Sequence, residues 1–284
     1  MSHFSVLIIG DNVEEQLAPY NESIKVAPYV EYTKEELIKK LREEIEEYKK
    51  GTYAKYLENP EKYIEENKWK PDHIKYVSGE FPKRLEWTDD EVYNHQIKFY
   101  EPEEIWKNWE VYSTYNPKSK WDWYEVWGRW TGELVVKQGV KPEAIKFSPF
   151  NSDEFIERMT KENRANTALI KDIDLVKMKE SVIKDFEKRY DEVKSNFLYA
   201  TFVPRTERDY INTHTKEEYV EKHYPGIFNF FAIVKDWVWY EKGTMQMFGM
   251  SFNHSEPEDW NKQVEKLISN LHPDTRLTVV DCHI

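Results

Sequence analysis

Two short apolar runs stand at opposite ends of the chain: FSVLIIG at residues 4–10 and RLTVVDCHI at residues 276–284. Each is too short for a helix and rich in β-branched residues, so each reads as a buried strand. A buried strand must find partners for its backbone donors and acceptors. The pattern therefore predicts that the two terminal strands are neighbours in one core sheet. Helical periods lie between them. Thr33 followed by Glu36 has the form of a capping box, and Leu37, Leu41, Ile45 and Tyr48 share one face, which predicts a helix over 34–50 stopping at Gly51. One or two short helices follow over 52–68, with Pro60 in a first turn. Pro71, Gly79 and Pro82 with no sustained period predict a loop over 69–87. Thr88 and Glu91 cap a helix over 89–99, and a helical turn over 101–109 would set Trp106 and Trp109 on one face.

Beyond the turn at Asn116-Pro117, residues 123–127 predict a strand, with Gly128 permitting a bulge or a close approach. A second strand over 132–136 ends in a turn at 137–139. Helices are predicted over 152–162 and 172–196. The latter is the longest, with Leu175, Met178, Val182, Phe186, Tyr190 and Val193 at spacings of three and four. Residues 197–203 read as a strand and 204–214 as a charged loop; Thr215 and Glu218 then cap a short helix. Residues 227–252 read as a three-stranded meander with turns at Lys235-Asp236 and Lys242-Gly243. A helix from Glu256 carries Trp260, Val264, Leu267, Ile268 and Leu271 on its apolar face. The sum is an α+β fold: a mixed or antiparallel sheet including both terminal strands, with helices packed on it. Residues 1–32 and 110–284 form the core domain and residues 33–109 a mainly helical insertion.

Composition narrows the function. With 39% hydrophobic and 15% aromatic residues among 284, the chain has ample material for a core. Its 41 Lys and Arg against 53 Asp and Glu give a net charge of −12, which repels nucleic acid unless basic residues gather on one face. A small nucleotide ligand stays compatible with that charge, as does a basic protein surface facing the acidic stretch 33–66. Cys282 is the one cysteine, so no intrachain disulfide can form. Cys282 is either a small buried hydrophobe or an intersubunit contact. The start has no basic leader, and no apolar run is long enough to span a bilayer. The expectation is a cytoplasmic protein with no membrane association.

Six of the eleven tryptophans fall within residues 106–130, and NPKSKWDWYEVWGRW mixes them with both signs of charge. The candidate binding residues are Lys120, Trp121, Asp122, Trp123, Tyr124, Trp127, Arg129 and Trp130. Flat rings beside a guanidinium suit a nucleotide site, a protein interface or an aromatic core under a bulge, and the sequence leaves all three open. Asp122 and Glu125 are a weak acid–base pair, since carboxylates three apart are common in an acidic chain. The histidines show no metal-ligand spacing, and Gly10 stands alone without a GxGxxG or GxxxxGK[ST] loop. No catalytic residue, metal or cofactor is expected.

The segments MSHFSVLIIGDNVEEQLAPY, NPKSKWDWYEVWGRW, WVWYEKGTMQMFGM and LTVVDCHI together resemble a family of uncharacterised proteins of bacteriophages and prophages. That family commonly has glycine where this chain has Trp127. The resemblance implies a phage-associated context and the host cytoplasm, and it carries no catalytic residues. In type and size the chain is also similar to phage inhibitors of the Gabija defence system, which bind a nuclease and helicase assembly and form oligomers around it. The resulting expectation is a non-enzymatic, oligomeric inhibitor of a host defence protein complex. A sponge for a nucleotide immune signal, held by Trp121, Trp123, Tyr124 and Arg129, is the alternative. An enzyme acting on nucleotides or nucleic acid, using Asp122, Glu125 or His283, stands third.

Overall fold

The computed structural model describes residues 2–106, 108–140, 152–245, 251–253 and 255–284. The chain divides into two compact units, residues 25–115 and the remainder, 1–24 with 116–284.

The larger unit is built on one mixed sheet. Its strands are β1 (His3–Ile9), β2 (Trp123–Glu125), β3 (Thr167–Leu169), β4 (Ala232–Lys235), β5 (Val238–Glu241) and β6 (Arg276–His283), in the order β2-β6-β1-β4-β5. The terminal strands do pair. β1 and β6 run antiparallel in unbroken register from His3 opposite His283 to Ile9 opposite Leu277. β1 is parallel to β4, and the other pairings are antiparallel. The outer edge of β6 is shared: β3 covers residues 276–278 and β2 covers 281–283, while Val279 donates its N–H to the Asn166 carbonyl at 2.8 Å.

Both faces of this sheet are covered, which is why its central strands read as continuous apolar runs without alternation. One face presents Leu7, Ile9, Ile233, Leu277 and Val279 to Trp260 and Val264 of the helix Pro257–Ile268 and to Met178 of the helix Leu175–Ser195. The other presents Phe4, Val6, Ile8, Val234, Val280 and Cys282 to Leu17, Tyr20 and Trp121. The hairpin β4-β5 turns at Asp236-Trp237, one residue beyond the predicted pair. Both adopt left-handed φ (52° and 61°), as a two-residue turn that follows the sheet twist requires. Tyr20 pins this hairpin by donating to the Trp237 carbonyl at 2.7 Å and accepting from the Trp239 N–H at 2.9 Å.

The smaller unit is mainly helical. Thr33 and Glu36 form the predicted reciprocal cap of the helix Lys34–Tyr48, and Thr88 and Glu91 that of Asp89–Gln96. Leu41 and Ile45 pack with Phe81 and Val92, and Leu37 packs with Tyr93 and Val111. Tyr29–Tyr32 pairs antiparallel with Val111–Ser113, so this unit starts before residue 33 and ends after residue 109.

Several expectations need correction. Gly51 does not stop the helix; it sits in a wide turn, Lys49–Tyr53, that leads into Ala54–Glu58. Residues 71–84 are helical, because Pro71 and Pro82 occupy first turns, where a missing N–H costs nothing. Residues 197–201 and 205–213 form helices too, not a strand and a loop. Here Asn196 caps the first, and packing of Val203, Ile211 and Tyr219 outweighs the β propensity of the run. The expected strand over 132–136 shrinks to Leu134–Val135, paired with Arg164–Ala165. Pro102–Glu104 makes one helical turn, but Trp109 takes a left-handed φ of 67°, so helical spacing does not relate it to Trp106. In the third run of the meander, Thr244–Met245 pairs with Ser251–Phe252 outside the main sheet, and residues 246–250 lie outside the described set. Among the described residues no helix is long and apolar enough to cross a membrane.

Cys282 is fully buried in the middle of the sheet, among Phe4, Val280 and Tyr124. An intersubunit disulfide there would require the sheet to open, so the contact role is withdrawn. Burial, reinforced by Asp281, raises its thiol well above the usual range. The native protein should therefore resist a thiol reagent such as DTNB and release one equivalent only after denaturation; rapid reaction under native conditions would contradict this placement.

Candidate functional site

The aromatic segment enters the sheet at Trp121, whose backbone bridges to Asn21 and whose indole N–H donates to the Leu17 carbonyl at 3.1 Å. Trp121 is only 6% exposed and packs edge-on to Tyr124. Strand alternation then separates its neighbours. Tyr124 lies opposite Cys282 on one face, whereas Trp123, 49% exposed, lies opposite His283 on the other. Trp130 packs against the first core cluster and Trp127 is half-buried. Lys120 is held by Glu241 at 2.8 Å, a carboxylate that also accepts from the Trp239 indole. The Arg129 side chain is exposed. Trp121, Trp123 and Tyr124 therefore cannot close on one flat ligand, and Trp121 is corrected from a contact residue to a core residue.

What the segment does build is a polar end to an apolar sheet. His3, Glu125, Asp281 and His283 share one face through the register of β1, β6 and β2. His3 Nδ1 lies 3.0 Å from an Asp281 oxygen and His283 Nδ1 lies 2.6 Å from Asp122. Each carboxylate can only accept, so Nδ1 carries the proton in both pairs. The two imidazoles meet edge to face, with ring centres 5.1 Å apart. The other Asp281 oxygen accepts the Arg129 backbone N–H at 3.0 Å. Asn166, fully buried, accepts the Gly132 N–H at 2.6 Å and donates to the Val126 carbonyl. Asp281 and Asn166 thus stitch the loop 126–132 onto the sheet, and each buried polar group is repaid with hydrogen bonds.

Glu125 stands directly opposite Asp281. Burial raises its carboxyl above the usual range and the charge of Asp281 adds to this, against a smaller opposing effect of His3. Gly128 makes the close approach that its place in the sequence allowed. At φ 128°, a Cβ there would lie 2.8 Å from a Glu125 oxygen and 2.9 Å from the Asp281 Cβ, and would overlap an Asp281 oxygen. Asp122, Trp123 and Arg129 are legible here from the sequence, whereas His3, Asn166 and Asp281 are not. The available signal was Asp281 itself, a charge inside an otherwise apolar strand.

A carboxylate-oriented imidazole is the usual form of a general base. His283 Nε2, however, is sealed from solvent and has no hydrogen-bond partner among the described residues, so the pair has no open path to a substrate. The pairs act as locks between chain ends and the 122–132 segment. Among the described residues no group of three or more His, Cys, Asp or Glu side chains is placed to hold a metal ion. In the smaller unit, Trp106 stacks on Tyr112 at 4.0 Å and Trp109 meets Tyr93 edge-on. Comparison with protein-family models, with curated proteins and with solved structures returns no match.

Gly128→Ala should destabilise the protein by on the order of 3 kcal/mol, from backbone strain plus overlap with Asp281. A urea titration measures this, and an unchanged midpoint would refute the close approach. Because the folded-state pKa of Glu125 is raised, its favourable contribution is present below the unfolded value and is lost as pH rises through the folded one. Glu125→Gln should accordingly raise Tm at pH 7 relative to wild type, with a smaller gain at pH 4.

Proposed function

We propose that this chain is a phage-encoded, non-enzymatic inhibitor that acts by binding a bacterial defence protein complex, with a Gabija-type nuclease and helicase assembly as the first candidate. The phage context rests on the sequence resemblance. The structural observation that carries a protein-binding role is an apolar corner at the end of the longest helix. Asn196 caps the helix Phe197–Thr201, whose Tyr199 and Ala200 turn inward with Val203. Phe197, Leu198 and Phe202 are left 86%, 68% and 81% exposed. Scattered apolar residues are normal on a protein surface, but three large ones within six residues of chain support the reading of a contact surface. Lys194 and Arg205 flank it in sequence and are exposed. That setting suits an apolar partner surface with an acidic rim.

A nucleotide sponge would need ring faces presented together, which the alternation at Trp121, Trp123 and Tyr124 does not provide. Direct protein binding is therefore the better supported reading. The test is a pulldown of candidate defence assemblies with the tagged protein, paired with phage plating on cells that carry each system. Phe197→Asp with Phe202→Asp should weaken capture by at least about tenfold while leaving circular dichroism and Tm unchanged, since exposed substitutions seldom affect folding. Absence of any complex, together with no protection of phage, would end this reading.

A further inference from the structure

A cleft of about 200 Å³ lies beside the sheet within the larger unit, formed by five pieces of chain that no local pattern connects. The helix Leu175–Ser195 contributes Met178, Ser181, Val182, Asp185 and Phe186, whose spacing of three and four puts them on one helical face. Glu133 and Val135 come from alternate positions at the strand Leu134–Val135, and Arg164 stands opposite Val135 in its partner strand. Trp130, Ile227 and Phe230 complete apolar walls, and Ser5 of β1 and Asn229 add neutral polar groups.

The charges in this cleft are unequal. Arg164 is already committed: its guanidinium donates to Glu162 at 3.1 Å, to the Ser181 hydroxyl at 2.9 Å and to the Gly132 carbonyl at 3.4 Å. Glu133 and Asp185 have no ion-pair or hydrogen-bond partner among the described residues. Glu133 reaches solvent from a concave wall. Loss of water around it raises its carboxyl above the usual range; the charge of Arg164 opposes this and that of Asp185 adds to it. Two unpaired carboxylates in a wall shared with the aromatic residues Trp130, Phe186 and Phe230 are complementary to a cation, which aromatic rings attract and carboxylates bind by charge-assisted hydrogen bonds. The volume is below the roughly 300–1,000 Å³ of pockets for drug-sized ligands, so the guest is small.

We propose that this cleft is a binding site for an organic cation, an alkylammonium or guanidinium group on a short aliphatic chain, seated between Glu133 and Asp185 against the Trp130, Phe186 and Phe230 rings. The aliphatic part lies along Met178, Val182 and Ile227, and the cation faces the carboxylates. Such a group arises either in a free polyamine or at the end of a Lys or Arg side chain. This site is separate from the apolar corner at Phe197 and does not depend on the inhibitor reading.

Calorimetry and NMR titration of the full chain test it with agmatine, 1,5-diaminopentane and spermidine, against 1-pentanol and glutarate as neutral and anionic controls. The expected result is one site for at least one cation and none for the controls. Glu133→Gln with Asp185→Asn should weaken binding by at least about tenfold at unchanged Tm. Asp185→Asn alone carries the test if the double variant is unstable, because it alters one side chain on an intact helix. Acetylated lysine and arginine amides separate the sources: tighter binding than agmatine points to a protein side chain, weaker binding to a free amine. Phe197→Asp with Phe202→Asp should leave the affinity unchanged. No binding of any cation at millimolar concentration, equal binding of 1-pentanol, or full affinity in the carboxylate variants would overturn the proposal.

Discussion

The pairing of the first strand with the last is the constraint from which the larger unit is built. β1 and β6 are the two innermost long strands, and every residue of β1 faces one of β6. Their register fixes which side chains share a face, and so fixes where both apolar clusters form and where the polar end lies. A slip of one residue would send Leu7 and Val279 to the wrong face and bring His3 and Asp281 into the opposite core. The ladder also joins the most distant parts of the chain, so it closes the longest loop in the molecule.

Asp281 shows how a cost in that sheet becomes an architectural device. A lone buried carboxylate is strongly unfavourable. Here one oxygen meets His3 and the other meets the Arg129 N–H, while Gly128 leaves room for both. The same residue that interrupts an apolar strand therefore holds the N-terminus and the tryptophan-rich loop in place. Asn166 does the equivalent work for the far side of that loop. The dense aromatic segment is accordingly divided: Trp121 and Trp130 support the interior, Trp123 and Arg129 reach the surface, and Tyr124 supports the second core.

The long helix Leu175–Ser195 is likewise divided along its length. Its periodic apolar stripe reads as one buried face, yet Met178 joins the sheet core, Val182 and Phe186 border the cleft, and Tyr190 and Val193 pack with the helices that follow. A stripe in sequence says that a face is apolar, but three different environments cover it. Where the chain after Asn196 turns, the apolar residues exceed what the small helical cluster can cover, and Phe197, Leu198 and Phe202 remain in water.

Local rules settled much of this protein in advance. The terminal strands, the capping boxes at Thr33, Thr88 and Thr215, the helices begun by Pro60 and Pro257, and the α+β class all follow from periods and hydrogen-bonding preferences acting over a few residues. Propensity failed where packing outweighed it, as at 197–213, and the prolines of 71–84 misled because they stand in first turns that helices tolerate. The polar end and the acidic cleft were not legible, because each collects residues far apart in the chain: His3 with Asp281, and Glu133 with Arg164 and Asp185. Such groups meet only once the sheet register and helix placement exist, and only then does burial decide which charges are satisfied and which remain open to a ligand.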